Sequence, residues 1–204
     1  MQEKILQTAS QLFLSLGFKS VTMDDIAEKM GISKKTIYEY YKNKNDLVEA
    51  TTHFVFEQIT TKVDTICCKD CGVSPIQTLF DINSFMNEHL KEDNAPEYQL
   101  QKYYPEIYTS LTEKKFIAIT NGIKENLERG IEFGLYRDDI DVEVVSRLYF
   151  SIVSSIKNSK IFPKESFKIS ELMHSYLLYH IRAIATPKGL QELENYLQNN
   201  NKVR

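Results

Sequence analysis

The chain has 204 residues, 42% of them hydrophobic and 26% charged, with a net charge of −3. That is enough chain to bury a sizeable core in one or two domains, and its balance is ordinary for a globular protein. The mild acidity excludes a polycation that binds nucleic acid over its whole surface.

Five prolines and seven glycines argue against flexible linkers and tight-turned β-architecture. They favour long helices, so the expected fold class is all-α. The opening MQEKILQTAS lacks the basic-then-apolar pattern of a secretory leader. No apolar run approaches the ~20 residues of a membrane span. Three cysteines do not make a disulfide framework, and a reducing cytoplasm is the expected compartment.

In chain order, EKILQTASQLFLSLGF places Ile5, Ala9, Leu12, Phe13 and Leu16 at helical spacing, and Gly17 stops that helix. A second helix opens in SVTMDDIAEKM, with Thr22 as N-cap and Asp25 completing a capping box. Ile26, Ala27 and Met30 form its inner face. Gly31 breaks it, and Ser33 caps a third helix, KKTIYEYY. The fourth, NKNDLVEATTHFVFEQITTKVDTI, is capped near Asn43 or Asn45 and carries Leu47, Phe54, Ile59, Val63 and Ile66 as anchors.

Further on, SPIQTLFDINSFMNEHL fits one amphipathic helix, and APEYQLQKYY a shorter helix or turn ended at Pro105. A long helix then runs from PEIYTSL to the FGLY stretch, with Pro near its start. Asp138 to Asp141 read as a loop, followed by two helices, VEVVSRLYFSIVSSIKN and SFKISELMHSYLLYHIRAIA. No internal repeat is evident.

The second and third helices have the spacing of a helix-turn-helix. Apolar Ile26, Met30, Ile32 and Ile37 surround a small Ala27, where two steeply crossing helices meet, and Gly31, where a tight turn calls for positive φ. An ordinary helical corner with solvated lysines is the bland alternative. Charge separates the two. Residues 1–50 hold seven lysines and seven acids, yet residues 31–45 hold four lysines, three tyrosines and one acid, Glu39. With Ile37 and Tyr41 inward, Lys34, Lys35, Thr36, Tyr38 and Tyr40 remain on the outward and N-terminal faces, where a recognition helix meets base edges and phosphates. Lys44, at the start of the fourth helix, adds a cation.

The stretch VTMDDIAEKMGISKKTIYEYYKNKNDLVEA resembles the DNA-binding region of the TetR (tetracycline-repressor) family. The resemblance rests on Thr22, Ile26, Ala27, Gly31, Ile32, Ser33, Thr36, Tyr38, Tyr40, Tyr41, Lys44 and Leu47. It implies that Thr22, Ser33, Tyr40 and Lys44 hold phosphates, and that Lys34, Lys35, Thr36 and Tyr38 approach bases or nearby backbone. Tyr41 stands where the family has a buried Phe. Lys35 replaces a common small residue, and Glu39 a frequent Tyr or neutral residue. Residues 1–46 are thus expected to form a helix-turn-helix domain, and 47–204 a helical ligand-binding and dimerisation domain. Two later stretches, GIEFGLYRDDID and IATPKGL, resemble the family's inter-helix loop and C-terminal signature.

The helices over 142–156 and 169–184 carry apolar residues on two sides, which requires full burial or a partner. A four-helix homodimer interface is expected from Val145, Tyr149, Ile152, Ile156, Met173, Tyr176, Leu177, His180 and Ile184, because a protein reading a palindrome uses two-fold symmetry. An aromatic-rich middle region offers a wall for a largely apolar or aromatic small-molecule effector: Phe54, Phe80, Phe85, Met86, His89, Tyr104, Tyr108, Phe116 and His174. Plain core packing is the alternative for each.

Two sharper motifs are weaker. Cys67, Cys68 and Cys71 in CCKDC could form a thiol or soft-metal sensor, but nothing nearby in sequence completes tetrahedral coordination. Glu171 and His174 match the Glu-x-x-His spacing of diiron bundles, without a second copy. No phosphate loop, nucleophile elbow or zinc-protease helix occurs, so neither an enzyme nor a cofactor is expected. The partners expected are a double-stranded DNA operator, a second copy of the chain and an effector, with no membrane. A helix-turn-helix scaffold used for protein interaction without DNA remains the rival.

Overall fold

The computed structural model describes residues 1–67, 72–89, 95–156, 160–163 and 165–201. Those residues form ten helices: α1 Gln2–Leu16, α2 Met23–Met30, α3 Lys34–Tyr38, α4 Lys44–Ile66, α5 Pro75–His89, α6 Ala95–Tyr103, α7 Pro105–Glu132, α8 Val142–Ile156, α9 Ile169–Ile184 and α10 Pro187–Asn201. The fold is all-α. No helix among the described residues is long and apolar enough to cross a membrane.

The chain divides into two compact units. One comprises Met1–Lys62 with Asp93–Lys115, the other Val63–Glu92 with Phe116–Arg204. The first is larger than residues 1–46, since it takes in most of α4, all of α6 and the start of α7. Its core joins Ile5, Ala9 and Phe13 of α1 to Ile26 and Ala27 of α2, Ile37 of α3, Leu47 and Val48 of α4, Leu100 of α6 and Leu111 of α7. The Gly17 turn folds Phe18 back to stack on Phe13 at 5.1 Å, with Tyr104 edge-on at 6.3 Å. Phe18 closes the core at that end, and Leu16, expected inside, is exposed. Gln99 of α6 accepts a hydrogen bond from the Lys19 N–H at 3.1 Å, so α6 clasps the α1–α2 loop.

The second unit is built around α9, which packs on α5, α8 and α10. Its buried set includes Ile76, Leu79, Phe80, Leu127, Tyr136, Tyr149, Leu177, Ile181, Ile184 and Leu193. A buried polar chain crosses it: the Tyr136 hydroxyl donates to Asn126 Oδ1 (3.2 Å), and Asn126 Nδ2 donates to the Pro75 carbonyl (2.9 Å). Burial pushes the Tyr136 phenol far above its ordinary pKa, so it stays a donor.

The two stretches set apart in the sequence, GIEFGLYRDDID and IATPKGL, meet each other here. Tyr136 and Ala185 form an antiparallel bridge, the Arg137 N–H donates to Ile184 O (2.8 Å), and the Thr186 N–H donates to Leu135 O (2.9 Å). Gly189 sits so close that a Cβ there would lie 2.1 Å from the Leu135 carbonyl oxygen.

Helix α10 has no counterpart in the sequence reading. Its start follows simple rules: Thr186 Oγ1 accepts from the Gly189 N–H at 3.2 Å as an N-cap, and Pro187 takes the first helical position, where no N–H is needed.

Candidate nucleic-acid interface

Local chemistry sets the α2–α3 corner. Thr22 Oγ1 accepts from the Asp25 N–H at 3.2 Å, while Asp25 Oδ2 accepts from the Thr22 N–H (2.7 Å) and hydroxyl (2.8 Å). This is a complete capping box. The Thr22 backbone N–H, followed by its hydroxyl, holds the Asp25 carboxyl below its usual pKa. At the other end Gly31 is left-handed, φ 65° and ψ 32°, and its N–H closes onto Ala27 O and Glu28 O. A Cβ at Gly31 would meet nothing within 4 Å. Glycine is needed there for φ and not for space.

Ser33 then caps α3, its Oγ accepting from the Thr36 N–H at 3.1 Å and sharing a 2.9 Å hydrogen bond with Thr36 Oγ1. Regular helix ends at Tyr38, and turn bonds from Glu39, Tyr40 and Tyr41 to Lys35 and Ile37 continue the coil loosely. Ile37 is fully buried and Tyr41 nearly so, which pins one side of α3 to the core. Asn43 Oδ1 accepts from the Asp46 N–H at 2.9 Å and starts α4.

The opposite side of α3 is what the corner presents. Lys34, Lys35, Tyr38 and Tyr40 are exposed, the tyrosines by 43% and 44%, while Thr36 and Lys44 are half-buried. The cations are not equivalent. Lys34 Nζ pairs with Asp24 Oδ2 at 2.8 Å and lies 6.0 Å from the Tyr38 ring centroid. Its hydrogen bond to Asp24 raises the lysine's pKa. Lys44 Nζ donates to the Lys19 carbonyl at 3.2 Å and helps fix the α1–α2 loop. Burial lowers its pKa, partly offset by Asp25. Lys35 and Lys42 are exposed, with no ion-pair partner among the described residues.

The eight residues expected to meet DNA all sit on or beside one corner: Ser33 with Thr36, Lys34 with Tyr38, Thr22 and Lys44 both interacting with Asp25, and Lys35 and Tyr40 exposed beside them. Sequence reasoning missed Asp24. Its signal was the pair of acids in the first turn of α2, only one of which the capping box uses.

This corner coincides with a family match: the profile described as "Bacterial regulatory proteins, tetR family" fits residues 5–51. Residues 5–51 form a tetR-family domain. It is 26% identical over 153 residues to the HTH-type transcriptional repressor KstR2 of Mycolicibacterium smegmatis, covering 72% of each chain. Among solved structures it resembles a TetR transcription regulator from Haloarcula marismortui (TM-score 0.72, 19% identity, 90% of this chain and 97% of that one). It also resembles the regulator FadR of Bacillus subtilis, solved with stearoyl-CoA (TM-score 0.68, 18% identity, 89% and 98%). Both structures share the fold, and the chain is a helix-turn-helix transcriptional regulator.

The other expected sites fare differently. Six of the nine residues assigned to a dimer face, Tyr149, Ile156, Tyr176, Leu177, His180 and Ile184, are enclosed in the protomer's own core. Val145 and Met173 are half-buried, and only Ile152 is exposed. The most apolar stripe of each helix faces inward, because α5, α8 and α10 already cover α9. The apolar residues that α8 and α9 turn outward are instead Val144, Leu148, Ile152 and Tyr179, the last 70% exposed.

The effector candidates do not gather in one unit. Phe54, Tyr104 and Tyr108 belong to the first, and Phe80, Phe85, Met86, Phe116 and His174 to the second. Phe80 is core, stacked on Tyr196 at 4.6 Å. Tyr104 and Tyr108 pack against the first unit's core. Phe116 meets Phe150 edge-on at 5.1 Å. His89 ends α5, and its side chain lies outside the described residues. An open groove of about 520 Å³ on the second unit is lined by other residues, among them Ile131, Arg137 and Thr186.

Cys68 and Cys71 also lie outside the described residues. Cys67 is a half-buried free thiol whose pKa is pushed up by burial, which works against a reactive thiolate. Glu171 pairs with Lys168 at 3.1 Å, and both Glu171 and His174 are exposed, unlike inward-facing metal ligands. Among the described residues no group of three or more His, Cys, Asp or Glu could hold a metal ion.

Proposed function

We propose that the chain is a homodimeric repressor that binds a palindromic operator and is released by a small-molecule effector. The capped corner carries this reading: Gly31 and the two N-caps fix α3 so that Lys35, Tyr38 and Tyr40 point away from the core. Lys34, Lys35, Thr36 and Tyr38 approach bases or adjoining backbone. Lysine suits guanine O6 and N7, and threonine offers a hydroxyl or contacts a thymine methyl. Thr22, Ser33, Tyr40 and Lys44 position phosphates. Residues 1–46 serve operator binding; residues 47–204 serve effector binding and dimerisation, with Val144, Leu148, Ile152 and Tyr179 as the self-complementary face.

The effector is largely apolar or aromatic, as the aromatic residues of α4 to α8 suggest. In support, the structurally similar regulator FadR of Bacillus subtilis was solved in complex with stearoyl-CoA. The chain is not an enzyme, needs no cofactor and works in the cytoplasm. Helix α4 contributes to both compact units, which gives effector and operator a common element. An effector that prefers the DNA-incompetent arrangement shifts the population by its differential affinity.

A mobility-shift assay with the DNA upstream of the chain's own gene tests this directly. Retention of that duplex over a shuffled one is the expected result. No preference at any salt concentration would favour a scaffold that has lost DNA binding.

A further inference from the structure

We infer that the first compact unit carries a second DNA contact beside the α2–α3 corner: Lys19 of the α1–α2 loop and Lys102 of α6, gathered on the Tyr103 ring, hold backbone phosphates and add affinity without reading sequence. This rests on the operator-binding reading above.

Two cations converge on one ring. Lys19 Nζ lies 5.1 Å and Lys102 Nζ 5.5 Å from the Tyr103 centroid. Lys102 Nζ also lies 5.8 Å from the ring of Tyr98, one helical turn back. Both lysines are exposed, as are both tyrosines. Neither lysine has an ion-pair partner among the described residues. Cation–π contacts at exposed sites are weak, so the ring steers the ammoniums more than it stabilises the fold. Two neighbouring cations without a carboxylate repel each other, and an anion set against both relieves that repulsion.

Their place in the fold says which anion. The α1–α2 loop runs into Thr22, the N-cap of α2, three residues beyond Lys19. The Lys19 backbone is fixed on both sides: its N–H donates to Gln99 Oε1 of α6 at 3.1 Å, and its carbonyl accepts from Lys44 Nζ of α4 at 3.2 Å. Thr22 and Lys44 are the phosphate contacts of the corner, so Lys19 adjoins them and Lys102 continues the row onto α6. A strand of DNA backbone is the repeating anion that such a row meets.

The exchange balances. Binding breaks no ion pair among the described residues, since the two lysines give up only water and the face of a ring. Lys44 uses one of its three ammonium donors on Lys19 O and keeps the others for phosphate. The backbone is alike in every sequence, so the gain is the same on operator and random DNA.

The test uses the full chain and two duplexes, one enriched from a random pool by the wild-type protein and one shuffled from it. Lys19→Gln with Lys102→Gln keeps most of each stem and removes both charges. Each lysine that meets a phosphate contributes ~0.9 to the salt slope, so the double variant should lose ~1.8 per bound protomer on both duplexes. Binding should weaken by the same factor on each, leaving the preference between them unchanged. The corresponding double Arg variant should restore the slope. Lys62→Gln removes an exposed cation elsewhere in the same unit and should leave the slope as it is. Thermal unfolding of the double Gln variant should coincide with wild type. Should it not, Lys102→Gln alone, which leaves the α1–α2 loop intact, should still lose ~0.9. Three outcomes overturn the proposal: an unchanged slope in the Gln variants, an equal loss per charge in Lys62→Gln, or a loss confined to the enriched duplex. In each the wild type still prefers its enriched duplex, and the operator-binding reading survives. If the wild type binds neither duplex at any salt concentration, both fall together.

Discussion

The two compact units of this chain handle their polar groups differently. In the first, the capping pairs lie at helix ends and at the surface, Thr22 with Asp25, Ser33 with Thr36 and Asn43 with Asp46, while buried Thr52 of α4 bonds back to its own helix at Val48 O. In the second, several are inside: Asn126, Tyr136, Ser146 and His180 are all buried. The first unit is thus shaped mainly by short-range backbone accounting, with a largely apolar core beneath. The second is shaped by long-range burial that encloses polar groups. The difference shows which perturbations each unit should feel.

The largest effect is expected in the second unit. Leu177 is fully buried in the α9 core, and Leu177→Ala should destabilise by about 2–5 kcal/mol. Calorimetry or denaturant unfolding reads this. A loss under 1 kcal/mol would mean that α9 is not the centre of that core.

Next is His180, boxed by the rings of Tyr149 (5.1 Å) and Tyr176 (5.8 Å), with Nε2 buried and without a hydrogen-bond partner among the described residues. Burial pulls its pKa from the ordinary 6.5 down to about 4. The folded state therefore resists a proton that the unfolded chain accepts. Stability is complete above the unfolded value and falls as pH drops from about 6.5 toward 4, by ~3 kcal/mol in all. Unfolding curves at pH 7.5 and 5 should show the slope in the wild type and a weaker one in His180→Phe. Identical slopes would show that the imidazole has a partner in solution.

Smaller effects belong to the first unit. Gly31→Val puts a β-branched residue at φ 65° and should cost about 1–2 kcal/mol or more, although the space is open. Wild-type stability would show that the turn adopts another conformation. Thr22→Ala removes one half of the capping box and should cost ~1 kcal/mol. Thermal shift measures it, and Asp25→Ala should cost a similar amount if the box acts as a unit.

Legibility followed the same division. The caps at Thr22, Ser33 and Asn43 and the left-handed Gly31 could be read from sequence because each is decided by residues within four positions. The start of α10 is equally local, a Thr-Pro cap and first turn followed by Leu190, Leu193, Tyr196 and Leu197 at helical spacing, so this helix too is legible in the sequence. Burial in the second unit could not be read. Helices α8 and α9 are apolar on two sides, and nothing local tells which side α5 and α10 will cover. So Tyr149, Tyr176 and Leu177, assigned to a partner, lie in the core, while Leu148 and Tyr179 face outward. Asp24 was missed for a similar reason, because its partner is ten residues away on the next helix.

The central claim is that the exposed side of α3 reads DNA. Lys35 tests it best, being exposed, unpaired among the described residues and outside both caps, so that its loss leaves the fold alone. Binding of wild type and Lys35→Ala should be measured on an enriched operator duplex and on variants substituted at each base pair. The account predicts that the mutant loses discrimination at particular positions, by about 1–3 kcal/mol, while binding random DNA nearly as before. Equal weakening on every duplex would reduce Lys35 to a phosphate contact and contradict base reading from this side of α3.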